Sequence, residues 1–419
     1  MEPVNTPFLP RAKGAQARQI LVGVCGSIAA YKVVHLVRLL QSAGHSVRVI
    51  GTPSSRDFVG AATWEGITGQ PFATSINESG AMMGHIHWPD AADLYVIAPA
   101  TAHTLQGLAH GVSDSLVTTA FLAARCPVVV APAMNVNMWQ HQATQANVET
   151  LRQRGTRVLG TGRGDLACGW QGEGRMLEPA DIAAHVERGL TVPRLRGVRV
   201  TVTAGATREF LDPVRFISNP STGKMGFEMA YAAWCMGADV RLVAGRSARA
   251  AYTWAALEGQ NWSVEWVDSA EQMRAAVLDS DAGFDWYISA AAVSDYTAER
   301  QSHKQKKSPG DQTVVFQRTV DILATVGSQR RPGQVLVGFA AETESLVEYA
   351  RSKMTAKNLD AIVYNDVGGA SDRGFGSDQN AGGLLLRNGE SLVLEPVDKR
   401  KFAQIVLHEL ADRFVTPGS

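Results

Sequence analysis

After a polar, proline-punctuated stretch over residues 1–18, the chain turns apolar at Gln19-Ile-Leu-Val-Gly-Val-Cys25, a short β-branched run of the kind that forms a strand buried on both faces. Gly26-Ser27 turns it, and Val33, Leu36, Val37 and Leu40 then recur at i, i+3, i+4, i+7, the stripe of an amphipathic helix ending near Gly44. Val47-Arg-Val-Ile50 predicts the next strand and completes a βαβ unit. Apolar runs at 94–98 and 127–131 each lead into polar loops containing Asn or Thr and then into helical patterns. The first half therefore reads as a parallel sheet flanked by helices.

Around Pro193 the periodicity lapses, which places a linker over 189–197. The pattern then restarts. Val198-Arg-Val-Thr-Val-Thr-Ala204 is a strand, Gly205 opens a loop, and Phe227, Ala230, Tyr231 and Trp234 mark a helix face. Gly237-Ala-Asp-Val-Arg-Leu-Val-Ala244 mirrors Gly44-His-Ser-Val-Arg-Val-Ile50. Strands at 286–290, 335–340, 361–364 and 384–386 continue a second α/β domain, and 297–313, with Lys304, Lys306 and Lys307, reads as a polar basic loop. The organisation expected is a tail over 1–18, one α/β domain over 19–188, the linker, and a second over 198–415.

Forty Lys and Arg balance forty Asp and Glu over 419 residues, which removes any whole-chain electrostatic reason to bind nucleic acid or an anionic membrane. No apolar run approaches the ~20 residues of a membrane span, and residues 1–18 contain no apolar signal core, so a membrane or export role is not expected. Cys25, Cys126, Cys168 and Cys235 form no CxxC pair and fit neither a disulfide framework nor a zinc ribbon, which suits a reducing cytoplasm.

Gly23-Val-Cys-Gly-Ser-Ile-Ala-Ala-Tyr31 places a glycine turn and Ser27 at a strand-to-helix junction, where free N–H groups favour a phosphate. The GxGxxG pattern is absent, which argues against an ordinary dinucleotide fold and leaves a mononucleotide such as FMN open beside plain turn chemistry. Ala98-Pro-Ala-Thr-Ala-His-Thr104 offers small residues and hydroxyls to a flat heterocycle. Gly84-His-Ile-His-Trp88 offers two imidazoles on one face of an extended segment; His85 is a candidate base, although a single histidine is more often structural. Pro132-Ala-Met-Asn-Val-Asn-Met-Trp139 sets Asn135 just past a buried strand, where α/β proteins put ligands. Ala167-Cys-Gly-Trp-Gln-Gly-Glu-Gly-Arg-Met176 sets Cys168 in a glycine-rich flap, an unusual place for a packing thiol.

These five stretches, in this order, resemble the flavin-containing cysteine decarboxylases of coenzyme A biosynthesis. The second half adds Thr203-Ala-Gly-Ala-Thr-Arg-Glu-Phe-Leu-Asp-Pro-Val-Arg-Phe-Ile-Ser-Asn219-Pro-Ser-Thr-Gly-Lys-Met-Gly226, Ala290-Ala-Ala-Val-Ser-Asp295-Tyr, Lys304-Gln-Lys-Lys307, Asp321-Ile-Leu, Gly338-Phe-Ala-Ala-Glu-Thr343 and Lys353-x-x-x-Lys357-Asn. That set resembles phosphopantothenate-cysteine ligase, which bacteria commonly fuse behind the decarboxylase. The fold implied is a flavodoxin-like or Rossmann-like flavoprotein domain followed by a Rossmann-like ligase domain.

For the ligase half the resemblance implies that CTP converts the carboxylate of 4′-phosphopantothenate to an acyl-cytidylate, which the amine of cysteine then attacks. Ser289, Ala290, Ala291, Asp295, Phe339, Lys353 and Lys357 would line the nucleotide, and Asp321, Ile322 and Leu323 would lie near its phosphates. Lys304 would neutralise charge, Asn219 and Arg215 would hold substrate, and Asp295 would face a Mg²⁺, or Mn²⁺ in its place. For the decarboxylase half, FMN would rest on Gly26, Ser27, Ile28, Thr52, Ser54, Ala100, Thr101, Thr104 and Met134. It would oxidise the substrate side chain to a thioaldehyde so that CO₂ can depart, leaving an enethiolate. His85 would assist thiol deprotonation, Asn135 would hold the carboxylate, Cys168 would protonate the enethiolate, and Met138, Arg175 and Met176 would contact substrate. The resemblance also implies assembly as decarboxylase trimers joined by ligase dimers, up to a dodecamer, so a homo-oligomer is expected. Two departures stand out: Arg318-Thr-Val-Asp321 replaces the usual Asn-Pro-Asp, and Lys304-Gln-Lys-Lys307 replaces Lys-Ile-Lys-Lys. A flavin-binding regulatory, phosphatase-inhibitor-like protein and a flavin prenyltransferase-like enzyme are the alternatives; neither requires the His85, Asn135, Cys168 set together with a ligase half.

Overall fold

Strands β1 (Gln19–Val24), β2 (Ser46–Gly51), β3 (Leu94–Ala100), β4 (Val128–Pro132) and β5 (Arg157–Val158) form a parallel sheet in the order β2-β1-β3-β4-β5 in the computed structural model. The structure describes residues 17–78, 83–165, 171–254, 257, 259, 261–279, 283–304, 313–342, 346–366 and 377–415. The strands are largely apolar because both faces are covered, with Arg48 of β2 a buried exception. On one, Val22, Val24 and Val96 meet Val33, Leu36 and Val37 of the helix Ala30–Ser42 and Ile182 and Val186 of the helix Pro179–Leu190. On the other, Leu21, Tyr95 and Ile97 meet Leu105, Leu108, Val117, Val148 and Leu151. Each fully buried Leu, Ile or Val contributes about 1.5–3 kcal/mol. The strand order is flavodoxin-like and reverses between β1 and β3, which opens a crevice beyond their carboxyl ends. A separate antiparallel hairpin follows, β6 (Gly162–Asp165) and β7 (Gln171–Arg175). Cys168 lies outside the described residues.

Contacts divide the chain into units 1–191 and 192–419. The first two residues of the expected linker, Gly189 and Leu190, complete the helix Pro179–Leu190, and a Cβ on Gly189 would lie 2.5 Å from Leu94 Cδ1, so the glycine lets that helix settle on β3. Leu195 is fully buried and its N–H donates to the Met236 carbonyl at 2.8 Å, which ties that end to the second unit.

The second unit carries β8 (Arg199–Ala204), a hairpin of β9 (Arg208–Phe210) and β10 (Phe216–Ser218), β11 (Asp239–Gly245), β12 (Trp262–Val267), β13 (Trp286–Ser289), a hairpin of β14 (Tyr296–Ala298) and β15 (Phe316–Arg318), then β16 (Val335–Glu342), β17 (Ala361–Asp366), β18 (Gln379–Leu386) and β19 (Ser391–Asp398). Its main sheet runs β12-β11-β8-β13-β16-β17-β18-β19. The first six are parallel in Rossmann order, reversing between β8 and β13; β18 and β19 add an antiparallel edge. The basic loop expected over 297–313 begins inside β14, paired to β15 through Thr297 and Gln317.

Candidate active sites

In the first unit the residues expected to hold a flavin gather at the carboxyl ends of β1 to β4. A Cβ on Gly26 would lie 2.3 Å from Ser54 Oγ, so the glycine lets the two loops meet. Ser54 Oγ is 3.2 Å from Thr52 Oγ1, and the Thr52 N–H donates to the Val24 carbonyl at 2.9 Å. The helix Ala30–Ser42 starts without a side-chain cap; the Ala29 N–H donates to Ser27 Oγ at 3.3 Å and the Ala30 N–H to the Ser27 carbonyl at 2.9 Å, so the positive end of the helix lies beside the Ser27 turn, where it favours an anion. Ile28 and Tyr31 stand about 60% exposed at the same turn. Thr101 caps the helix Ala102–His110, its Oγ1 accepting the Thr104 N–H at 3.3 Å, and the Ala133 N–H reaches the Ala100 carbonyl at 2.9 Å. A glycine cradle, an uncapped helix start and clustered hydroxyls fit a flavin mononucleotide. Below them Cys25 is buried; burial pushes its thiol up to about 11 despite hydrogen bonds with Thr104 and Thr101, so it is a neutral packing group.

Asn135 caps the helix Val136–Gln140, its Oδ1 accepting the Asn137 N–H at 2.9 Å. The Met134 N–H donates to the Gly174 carbonyl at 2.9 Å, which docks β7 beside Asn135. Gly174 has φ 127°, and a Cβ there would lie 2.4 Å from the Met134 carbonyl oxygen. Arg175 donates to Glu178 at 2.8 Å, as does the nearly buried Lys32, so β7 is anchored electrostatically as well. Met138 is 49% exposed, whereas Met176 is 1% exposed and its side chain packs in the core, leaving only its backbone for a substrate. The segment Gly84–Trp88 is helical, not extended: Gly84–Ala91 is a helix entered through Met83 at φ 61°. Two positions apart on a helix, His85 and His87 do not share a face; His85 is half-buried and His87 exposed. His85 Nδ1 is buried without a hydrogen-bond partner among the described residues.

In the second unit a cavity of about 640 Å³ opens beyond β8, β13 and β16, at the reversal point. It gathers Asn219, Ser289, Ala290, Ala291, Asp295, Asp321, Ile322, Leu323, Phe339, Lys353 and Lys357, all expected at the nucleotide or substrate. The Ala291 N–H donates to Thr203 Oγ1 at 3.3 Å, and the buried Tyr287 phenol, its pKa pushed up to about 12 by burial, bonds the Ser289 and Thr203 side chains, so the loop floor is fixed from below. Asn219 Nδ2 donates to the Ala292 and Val293 carbonyls at 3.3 Å, which orients its oxygen. Asp321 caps the helix Ile322–Ser328 through the Ala324 N–H at 2.9 Å and pairs with Lys357 at 2.6 Å. Burial raises its pKa, but the Lys357 ammonium and the Ala324 N–H more than reverse this and hold the carboxyl below its usual range. Lys353 donates to the Phe339 carbonyl at 2.7 Å. Thr319 bridges this rim, its N–H reaching the Asp295 carbonyl at 3.0 Å and its hydroxyl the Ser294 carbonyl at 2.6 Å.

Two expected residues are not brought in. Arg215 stands on the turn between β9 and β10, 3.7 Å from Asp212, and Lys304 is exposed at the end of a described stretch; neither lines the cavity. Lys306 and Lys307 lie outside the described residues. No cluster of three or more His, Cys, Asp or Glu suited to a metal occurs among the described residues; the carboxylates that line the cavity are Asp295 and Asp321. Lys224, within the stretch Thr203–Gly226, lines the cavity as well, as do Asn365, Asn380 and Lys399, which were not anticipated as ligand contacts. Asn365 could have been flagged from its place at a parallel strand's carboxyl end; Lys399 carries no such signal.

The family described as DNA/pantothenate metabolism flavoprotein C-terminal domain matches residues 195–414, and the family described as Flavoprotein matches 10–191. The Coenzyme A biosynthesis bifunctional protein CoaBC of Bacillus subtilis (strain 168) is 40% identical over 402 residues, covering 94% of this chain and 97% of that one. That of Mycobacterium tuberculosis (strain ATCC 25618 / H37Rv) is 41% identical over 406 residues, covering 93% and 95%. The crystal structure of the C-terminal domain of a Coenzyme A biosynthesis bifunctional protein CoaBC is similar with a TM-score of 0.43 and 34% identity, covering 52% of this chain and 97% of that one. An FMN-dependent cysteine decarboxylase, SpaF, is similar with a TM-score of 0.34 and 37% identity, covering 38% and 91%. With both halves matched in order along nearly its whole length, the chain belongs to the family of bifunctional coenzyme A biosynthesis proteins, a flavoprotein domain followed by a pantothenate-metabolism domain.

Proposed function

We propose that the chain converts 4′-phosphopantothenate and cysteine to 4′-phosphopantetheine in two steps, ligation over about 198–415 and decarboxylation over about 19–188. The observation that carries this reading is the cavity at the reversal point, which unites residues from five separate motifs spread between Asn219 and Lys357. A carboxylate and an amine do not condense in water until the carboxylate gains a leaving group. CTP supplies it: the substrate carboxylate attacks the α-phosphate, pyrophosphate leaves, and the cysteine amine displaces CMP to form the amide. The backbone of Ala290 to Ala292, with Phe339, holds the nucleoside, and Lys353 and Lys357 offset its phosphates. Asp321 acts by aiming Lys357, since a carboxylate left unpaired there would repel phosphate. Asn219 presents its oxygen to the acyl centre. Lys304, which stands outside the cavity, would reach the departing pyrophosphate from its loop to offset its charge, and Asp295 would hold a Mg²⁺, which would supply further charge neutralisation.

In the decarboxylase unit, FMN when bound supplies the electron sink that a cysteine carboxylate lacks as CO₂ departs. Gly26, Ser27 and the uncapped helix start hold its phosphate; Thr52, Ser54, Thr101 and Thr104 supply hydroxyls, and Ala100, Met134 and Ile28 apolar contact. His85 takes the substrate thiol proton, Asn135 orients the carboxylate with Met138 and Arg175 around it, and Cys168 returns a proton to carbon. Among the described residues Cys25, Cys126 and Cys235 form no disulfide, which suits a cytoplasmic compartment, and a homo-oligomer is the assembly that goes with this reading. The test is mass spectrometry of the purified chain with 4′-phosphopantothenate, cysteine, CTP and Mg²⁺. The expected result is 4′-phosphopantetheine with phosphopantothenoylcysteine as a transient. If neither forms with CTP or another nucleotide, the reading fails and a regulatory flavin-binding role replaces it.

A further inference from the structure

Glu178 stands at the start of the helix Pro179–Leu190, and its side chain does not cap that helix. Instead one carboxylate oxygen, Oε1, accepts both the Lys32 ammonium and the Arg175 guanidinium, each at 2.8 Å. Lys32 belongs to the first turn of the helix Ala30–Ser42 and is 9% exposed, so its charge, largely removed from water, has to be paired where it stands. The hydrogen bond from Lys32, with the charges of Lys32 and Arg175 behind it, outweighs burial and holds the Glu178 carboxyl below its usual range, so the carboxylate is ionised at neutral pH.

Two positive charges and one negative charge therefore meet at the end of β7, and Arg175 is left partly compensated. The Glu178 and Arg175 side chains are 52% and 41% exposed, so water weakens their pairing without removing it. The backbone brings this guanidinium to the acyl end of the site, because the bond from the Met134 N–H to the Gly174 carbonyl seats β7 beside Asn135. Partial compensation has a chemical consequence there. In the thioaldehyde that precedes decarboxylation the negative charge lies on the carboxylate; when its bond to the carbon skeleton breaks, CO₂ leaves neutral, the bonding pair stays behind, and the charge ends on sulfur as the enethiolate. A full cation against the carboxylate favours the state before departure and raises the barrier, whereas no cation leaves the carboxylate unheld.

We infer that Glu178, held by Lys32, tempers Arg175: it fixes the guanidinium where it grips the substrate carboxylate and offsets enough of its charge for that carboxylate to leave as CO₂. This rests on the decarboxylase reading above, in which Arg175 meets the carboxylate. Glu178 is a positioning residue that acts through Arg175, and Lys32 sets how much of the carboxylate's charge Arg175 receives.

The test is steady-state decarboxylation of phosphopantothenoylcysteine by the full, flavin-loaded chain, beside the inhibition constant of 4′-phosphopantetheine, which lacks the carboxylate, and release of flavin followed by its fluorescence. Glu178→Gln keeps the shape and an oxygen for Lys32 but gives Arg175 its full charge. Its KM should fall about fivefold and its kcat by at least a similar factor, while product inhibition, flavin release and the ligase rate stay at wild-type values. Lys32→Met leaves the whole carboxylate to Arg175 and should move the KM the opposite way, and Glu178→Asp, which keeps the charge, should restore most of the kcat. A KM that rises as kcat falls in Glu178→Gln, or an equal shift in product inhibition or flavin release, shows only a loosened hairpin and overturns the proposal, as do wild-type constants. If the wild type itself forms no 4′-phosphopantetheine from phosphopantothenoylcysteine, the decarboxylase reading fails and takes the proposal with it; turnover without the opposed changes in KM overturns the proposal alone.

Discussion

His185, in the helix Pro179–Leu190, is 2% exposed, and burial, followed by the charges of Arg157 and Arg188, lowers its pKa from 6.5 to about 3. Unfolding releases it to its ordinary range, so the unfolded state takes up a proton that the native state refuses. The stability this protects is complete above pH about 6.5 and falls as pH drops toward 3, by at most about 1.4 kcal/mol per pH unit. Thermal melts of the flavoprotein unit between pH 7 and 5 should show a falling Tm that is flatter in His185→Gln; parallel profiles would remove His185 from the account. Asp321 gives a second prediction. Asp321→Asn keeps part of the cap but frees Lys357, so the CTP KM should rise about tenfold, and Asp321→Asn with Lys357→Met should cost less than the sum of the two. Full additivity in that cycle would separate the residues. Asp321 was legible in the sequence as a candidate site residue, but its pairing with Lys357 was not, because the partner lies just past the end of a separate helix, Leu346–Ala356.

Elements differ in how openly the sequence declares them. The buried parallel strands are continuous apolar runs and were placed to within a few residues. β12 and β19 were missed because they alternate: Ser263 and Glu265 on one, Glu395 on the other, face solvent on or beside a sheet edge. The short helix at His85 was read as extended because Gly84 and Pro89 are poor helix formers; Pro89 is tolerated in an eight-residue helix that Met83 opens in a left-handed turn. The β6–β7 hairpin carries the clearest element-scale prediction. In Gly174→Ala the new Cβ meets a carbonyl oxygen at an unfavourable φ, a strain of about 1–3 kcal/mol. β7 should lose its dock on Met134, and decarboxylation should fall at least tenfold while ligation persists. Phosphopantothenoylcysteine would then accumulate; unchanged flux would show that docking of β7 is dispensable.

At the scale of the molecule, each unit has its own sheet and its own core. His85→Asn should therefore block decarboxylation alone and Lys353→Ala ligation alone, and an equimolar mixture of the two purified variants should regain 4′-phosphopantetheine synthesis. Failure of the mixture, with each single defect confirmed, would show that one polypeptide must carry both sites. The sequence by itself determined the two α/β halves, the order of their strands along the chain, and the glycine- and hydroxyl-rich loops at strand ends, because hydrophobic period and turn chemistry are local properties. Most of the residues that line the second unit's cavity could also be picked out from the linear chain, since they sit in motifs at strand carboxyl ends. Long-range packing alone sets β8 and β13 as neighbours, leaves Arg215 and Lys304 outside the cavity, puts Met176 in the core, and brings Lys399 within reach of the charge of Lys224, 175 residues earlier in the chain. Those facts follow from which helices cover which face of the sheet, a matter of long-range packing that no window of sequence contains.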